Sequence, residues 1–114
     1  MTRNVALYVK DIIQNMQDAE EFVQGLSYEA FTSDKKTFNA VVRVIEVIGE
    51  AVKKIPDGVR RRYPAIPWKE MAGMRDKLIH FYFGVDSEAV WIAVKERIPT
   101  IRPIFEQILR DLEN

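Results

Sequence analysis

Residues Arg75-Asp76-Lys77-Leu78-Ile79-His80-Phe81-Tyr82 bring a permanent cation, the chain's single histidine and a phenol into one short stretch. A guanidinium stays charged and its planar fork suits phosphate oxygens. An imidazole exchanges a proton near neutral pH, and a phenol adds a hydroxyl. Phosphodiester chemistry needs this set: positive charge for a crowded phosphorane, and proton carriers for the nucleophile and the leaving oxygen.

Spacing sets a geometric condition on these groups. On an ideal helix Arg75 and Tyr82 return to within about 20° of each other, whereas His80 stands about 140° around from Arg75. A straight helix therefore does not aim all three at one point. Either the helix loosens near His80, as Gly84 would permit, or the long Arg75 side chain reaches around, or a second chain completes the site. One chain carries one histidine, and the chemistry needs both an acid and a base. A twofold dimer with two copies of Arg75 and His80 in a shared groove supplies them without metal. The bland alternative is a packed histidine among Leu78, Ile79 and Phe81, with Tyr82 serving core or interface between Phe81 and Phe83.

Composition narrows the classes. The 114 residues suit one domain spanning 1–114, and 47% hydrophobic with 30% charged residues is the balance of an ordinary globular protein. Absence of cysteine removes disulfides, thiolate nucleophiles and cysteine zinc sites, and the lone His80 cannot anchor a histidine-rich metal centre; no metal and no cofactor are expected. The first residues lack the apolar core of a signal peptide, and no run suits a membrane span, so the expected address is cytoplasmic, with no membrane partner. Seventeen basic residues balance seventeen acidic ones, so a polyanion must be held by a local patch. Lys53, Lys54, Arg60, Arg61 and Arg62 offer one, beside the simpler reading of a solvated run.

The elements that must position the motif read as helices. Tyr8, Ile12, Met16, Ala19, Val23 and Leu26 recur at helical spacing, predicting a helix over 2–24 that Gly25 stops. Ser27 to Phe31 predicts a short turn of helix, with Thr32 or Ser33 capping the next. Residues 34–54 form a long second helix whose stripe is Phe38, Val41, Val42, Ile45, Ile48, Ala51 and Val52. Within it, Gly49 removes a side chain where another helix can approach. Pro56 ends that helix. A short helix over 57–62 follows, and after Pro64 and Pro67 another runs from Trp68 to about Phe81. Trp68 and Trp91 read as core or dimer anchors, with base stacking as the alternative, and Glu46 and Glu50 as surface or interhelical ion-pair residues that could also approach the groove past Gly49. Asp86 or Ser87 caps a final helical region that Pro99 must kink or restart. No strand alternation appears. The fold class expected is all-α, an antiparallel four-helix bundle with extra short helices.

With those motifs in place the chain resembles the HepT-like proteins of the HEPN superfamily, toxins of prokaryotic toxin–antitoxin pairs. The likeness spans nearly the whole length. It rests on Gly25-Leu26-Ser27-Tyr28-Glu29-Ala30-Phe31, Arg43-Val44-Ile45-Glu46-Val47-Ile48-Gly49-Glu50-Ala51, Ile66-Pro67-Trp68, and the segment from Met74 to Asp86. That last segment is similar to the family's Arg-x4-His-x-Tyr signature in all three marked residues.

The resemblance implies a dimeric helical bundle with the two signature segments lining a groove where RNA is cut without metal. Arg75 would orient and neutralise the scissile phosphate, His80 would transfer protons, and Asp76 would orient one of them. Tyr82 matches the tyrosine that accepts AMP in members paired with a minimal nucleotidyltransferase antitoxin. The chain so read is the toxin of a type VII pair, an endoribonuclease silenced by AMP addition. A competing reading, favoured slightly by the zero net charge, is a non-catalytic helical partner that presents substrate to a nucleotidyltransferase. A third is a structural four-helix oligomer without ligand.

Overall fold

Short polar side chains mark most of the helix starts, because the first N–H groups of a helix have no intrahelical acceptor. The computed structural model describes residues 4–80 and 86–114, with the side chains of residues 78–80 outside the description. Asn4 accepts from the Ala6 N–H at 2.8 Å and opens α1 (Val5–Phe22), inside the predicted 2–24. Gly25, at φ 78°, takes the left-handed conformation that turns the chain. Ser27 caps α2 (Tyr28–Ser33) through Ala30 N–H. The cap of α3 (Lys35–Lys53) is Asp34, not Thr32 or Ser33 as predicted: its carboxylate accepts the Thr37 N–H at 3.1 Å and the Thr37 hydroxyl at 2.7 Å. A carboxylate can take both bonds and also favours the positive end of the helix dipole, which a hydroxyl does not match.

After α3 come α4 (Asp57–Arg62), α5 (Trp68–His80), α6 (Ser87–Ile92), a π-helical turn (Ala93–Arg97) and α7 (Ile98–Glu113). Asp86 is the cap of α6, accepting from Glu88 and Ala89 N–H, while the Ser87 hydroxyl lies 2.9 Å from that of Tyr28. No strand occurs among the described residues. The all-α expectation holds, with four longer helical arms forming the bundle and the short helices at its connections.

Neighbour relations follow from the apolar stripes. Buried Val9, Ile12, Met16 and Ala19 of α1 meet Val41, Ile45, Ile48 and Val52 of α3 on one side and Ile101, Phe105 and Ile108 of α7 on the other. Each Val, Ile, Met or Phe among them contributes roughly 1.5–3 kcal/mol when fully buried. The helices therefore run in the order α5, α3, α1, α7. Polar ties show that α1 and the C-terminal arm are antiparallel: Lys95 Nζ donates to the Val23 carbonyl, Arg102 bonds Glu20, and Lys10 pairs with Glu113.

Trp68 closes the bundle at the start of α5. Its indole N–H donates to the carbonyls of Arg60 (3.2 Å) and Tyr63 (3.1 Å), and its ring meets Phe105 edge-on at 5.5 Å. It is a core residue, and Trp91 joins Phe31, at 5.1 Å, in a second aromatic cluster. Beyond Trp68, α5 leans on α3 and stands off the C-terminal arm. The gap is an apolar groove of about 410 Å³ lined by Ile48, Met71, Met74, Ile92, Ile98 and Ile101 among others.

Pro99 does restart the last arm, by way of the π-helical turn. A proline at that position has no N–H for the Lys95 carbonyl and its ring presses on that turn. The backbone widens instead: Ile98 N–H bonds the Ala93 carbonyl five residues back, and the Thr100 hydroxyl donates to the Glu96 carbonyl at 2.9 Å.

Candidate functional site

Gly49 decides where Arg75 sits. A Cβ on Gly49 would lie 2.2 Å from Arg75 Cβ and 3.2 Å from the Met71 carbonyl, far inside contact distance. The missing side chain lets α5 drop onto α3 at that point, as the sequence predicted. Arg75 is thereby wedged against α3 with a quarter of its side chain exposed. Its Nη1 donates to Asp76 Oδ1 at 3.2 Å, and its Nε is buried with no hydrogen-bond partner among the described residues.

Asp76 carries a second cation. Lys53 Nζ lies 2.6 Å from the same Oδ1. The Lys53 ammonium and then the Arg75 guanidinium hold the Asp76 carboxyl below the usual carboxylate range, so it is ionised at neutral pH. The trio Lys53, Asp76 and Arg75 thus keeps one net positive charge at the junction of α3 and α5, and leaves donors of both cations unused for an anion.

His80 is the last residue of α5, and its side chain lies outside the description; Tyr82 lies outside the described residues altogether. The helix is continuous from Trp68 to His80, so loosening before His80 is not how this chain meets the angular condition. Positions 76 and 80, four apart, share a helix face about 40° wide, which places His80 on the side of Asp76 rather than of Arg75. Among the described residues no three His, Asp or Glu side chains gather as a metal site would require, and no described helix is long and apolar enough to cross a membrane.

The predicted basic run is divided by the fold. Arg60 turns inward, its Nε donating to the Ile55 carbonyl (2.9 Å) and its Nη2 to that of Val52 (2.8 Å), so it caps α3 and lies over the Trp68 ring. It is not available to a polyanion. Lys53 joins Arg75, leaving Lys54, Arg61 and Arg62 exposed. Glu46 pairs with Arg43 at 3.5 Å, the surface role expected of it, and Glu50 is exposed. Lys53 is the residue that reading the run as a surface patch undervalued. The signal for it was the spacing Gly49-x3-Lys53, which puts the lysine one turn along the face that the glycine opens to α5.

A protein-family model described as Ribonuclease HepT-like matches residues 12–108. A Methanocaldococcus jannaschii protein named as a candidate RNase is 51% identical over 111 residues, covering 97% of this chain and 92% of that protein. A Thermococcus cleftensis protein named as a probable ribonuclease HepT is 49% identical over 108 residues, covering 95% and 98%. A third, from Caldanaerobacter subterraneus and also named as a candidate RNase, is 43% identical over 103 residues, covering 90% and 92%. No solved structure gives a match.

Proposed function

Because the chain belongs to the HepT-like ribonuclease family, we propose that it is an endoribonuclease whose reacting groups are Arg75 and His80. The observation that carries this reading is the placement of Arg75: wedged at Gly49, tied by one bond to Asp76, with guanidinium donors left over at an exposed edge of positive charge. Such a fork binds the non-bridging oxygens of a phosphodiester and opposes the negative charge that grows in the phosphorane.

The reaction is transesterification. The 2′-oxygen of the ribose bonds to the adjacent phosphorus as its proton passes to a base, and the P–O5′ bond breaks as a proton passes to the leaving oxygen. His80 serves as proton carrier, at a pH where imidazole exchanges readily. Asp76, on the His80 side of α5, orients the motif while holding both cations. One chain supplies one imidazole, so acid and base come from two protomers related by a twofold axis. The apolar groove beside α5 gives such a pairing a surface to bury.

Cleavage is expected to persist in EDTA and to leave 2′,3′-cyclic phosphate and 5′-hydroxyl ends, read by end-labelling and mass spectrometry. Products with 3′-hydroxyl ends would overturn the mechanism.

The same reading makes the chain the toxin of a toxin–antitoxin pair, with Tyr82 as the acceptor of AMP from a nucleotidyltransferase partner. Two residues past His80, an added AMP would bring bulk and negative charge toward the phosphate site and occupy Arg75. Incubation with the partner and ATP should add AMP mass to the parent chain and none to Tyr82→Phe. Added mass on the phenylalanine variant would move the modification to another residue.

A further inference from the structure

We propose that Lys53 is a second phosphate-binding cation of the site, kept ready beside Arg75 by the carboxylate of Asp76. The inference rests on the reading of Arg75 as the phosphate anchor and extends it to a residue on a different helix.

One carboxylate oxygen joins the two cations. Asp76 Oδ1 accepts from Lys53 Nζ at 2.6 Å and from Arg75 Nη1 at 3.2 Å. Since both bonds end on the same atom, the two cationic nitrogens are no more than about 6 Å apart, near enough for their charges to repel without the carboxylate between them. Asp76 therefore holds two like charges close together at a site that remains net positive. A phosphate group presents the same pattern to them: an anionic oxygen with a second oxygen on the same centre. The Asp76 carboxylate is itself nearly half exposed, so RNA can approach the pair from solvent.

Lys53 and Arg75 differ in what they can do there. Arg75 is fixed against α3 at Gly49 and is directional. Lys53 is a compact charge on a flexible stem, over a third exposed, able to follow a phosphate of the strand as it enters. The pair reads as one rigid and one adaptable contact, the first for the scissile phosphate and the second for that phosphate or its neighbour. A simple tether between α3 and α5 would use the same salt bridge. It would make no difference to the ions released when RNA binds.

That distinction sets the experiment. In the uncleaving His80→Ala chain, binding of a fluorescein-labelled single-stranded oligoribonucleotide is followed by anisotropy across a salt series. Each phosphate contact contributes about 0.7 to the slope of log K against log salt. Lys53→Gln should lower the slope by about that amount and weaken binding about three- to tenfold at low salt, and Lys53→Arg should restore most of both. Asp76→Asn cuts the tether but keeps both cations, so it should leave the slope at the parent's value. An equal loss of slope in Lys53→Gln and Asp76→Asn would reduce Lys53 to a tether and overturn the proposal, as would an unchanged slope for Lys53→Gln. Arg75→Ala is the reference. If it lowers the slope while Lys53→Gln does not, only the Lys53 assignment fails. If neither changes it, RNA binds elsewhere and the reading of the Arg75 site fails with it. Thermal melting of each variant separates these outcomes from unfolding.

Discussion

His80→Ala is expected to lower RNA cleavage by about three orders of magnitude while leaving helical content and melting close to the parent's. Removing the proposed proton carrier takes away transition-state help, and position 80 is the last of α5, where a change of side chain interrupts no helix. Arg75→Ala should cost a similar factor and also weaken RNA binding if, as proposed, the guanidinium contacts the phosphate before and during reaction. Its stability cost should be small, because the guanidinium Nε is buried with no hydrogen-bond partner among the described residues. Arg75→Lys should not rescue: a lysine lacks the planar fork. The proposal that two protomers share the groove has a sharper test. When parent and His80→Ala chains are co-refolded, activity should fall as the square of the parent fraction if each cut needs an imidazole from both protomers. A linear fall would show that one protomer acts alone.

Gly49→Ala should lower activity about a hundredfold and lower stability by about 1–2 kcal/mol. Two terms of opposite sign act on stability. Alanine is favoured over glycine inside a helix by about 1 kcal/mol, whereas overpacking costs about 1–3 kcal/mol. The overlap here is severe, a new Cβ 2.2 Å from Arg75 Cβ, and the neighbour is the root of a side chain on a packed helix, not a flexible tip. The helices must part by an ångström or more at Arg75. Displacement on that scale at a reacting group costs about two orders of magnitude in rate. Gly73→Ala makes the contrast: apart from its own stretch of helix, nothing described lies within 4 Å of a Cβ built there, so that variant should melt higher, by about 1 kcal/mol of added stability. Activity retained by Gly49→Ala would mean that the wedge at Arg75 does not position it.

The helical frame was open to reading because its signals are local. Apolar residues at 3.6-residue spacing, the stop at Gly25 and the prolines at 56, 64 and 67 each act within a turn of where they stand. The Gly49 approach was legible for a related reason: a glycine inside a strong apolar stripe loses helix propensity for nothing unless something comes close. What escaped were choices among neighbours. Asp34 outcompeted Thr32 and Ser33 as a cap through a two-bond carboxylate, and Arg60 left the basic run to satisfy carbonyls released at the end of α3. Both depend on where a chain end lands in space. Lys53 is the same kind of case, since its partner on α5 is twenty-three residues away in sequence. The angular mismatch between Arg75 and His80 was computable from sequence, and the continuous α5 sharpens it: with no loosening before His80, a single protomer has fewer ways to bring the two together.

The widened turn at Ala93–Arg97 has an effect well beyond its five residues. Val90, Val94 and Ile98 follow one another by fours, a step that overshoots in an α-helix, and then Ile101, Phe105 and Ile108 alternate threes and fours. A turn holding more than 3.6 residues absorbs the overshoot, so the two halves of the arm share one buried line. The turn acts as a phase corrector. Straightening it into α-helix with every residue kept would rotate everything downstream by about 80°, carrying Phe105 off the Trp68 ring and undoing the closure at the foot of α5.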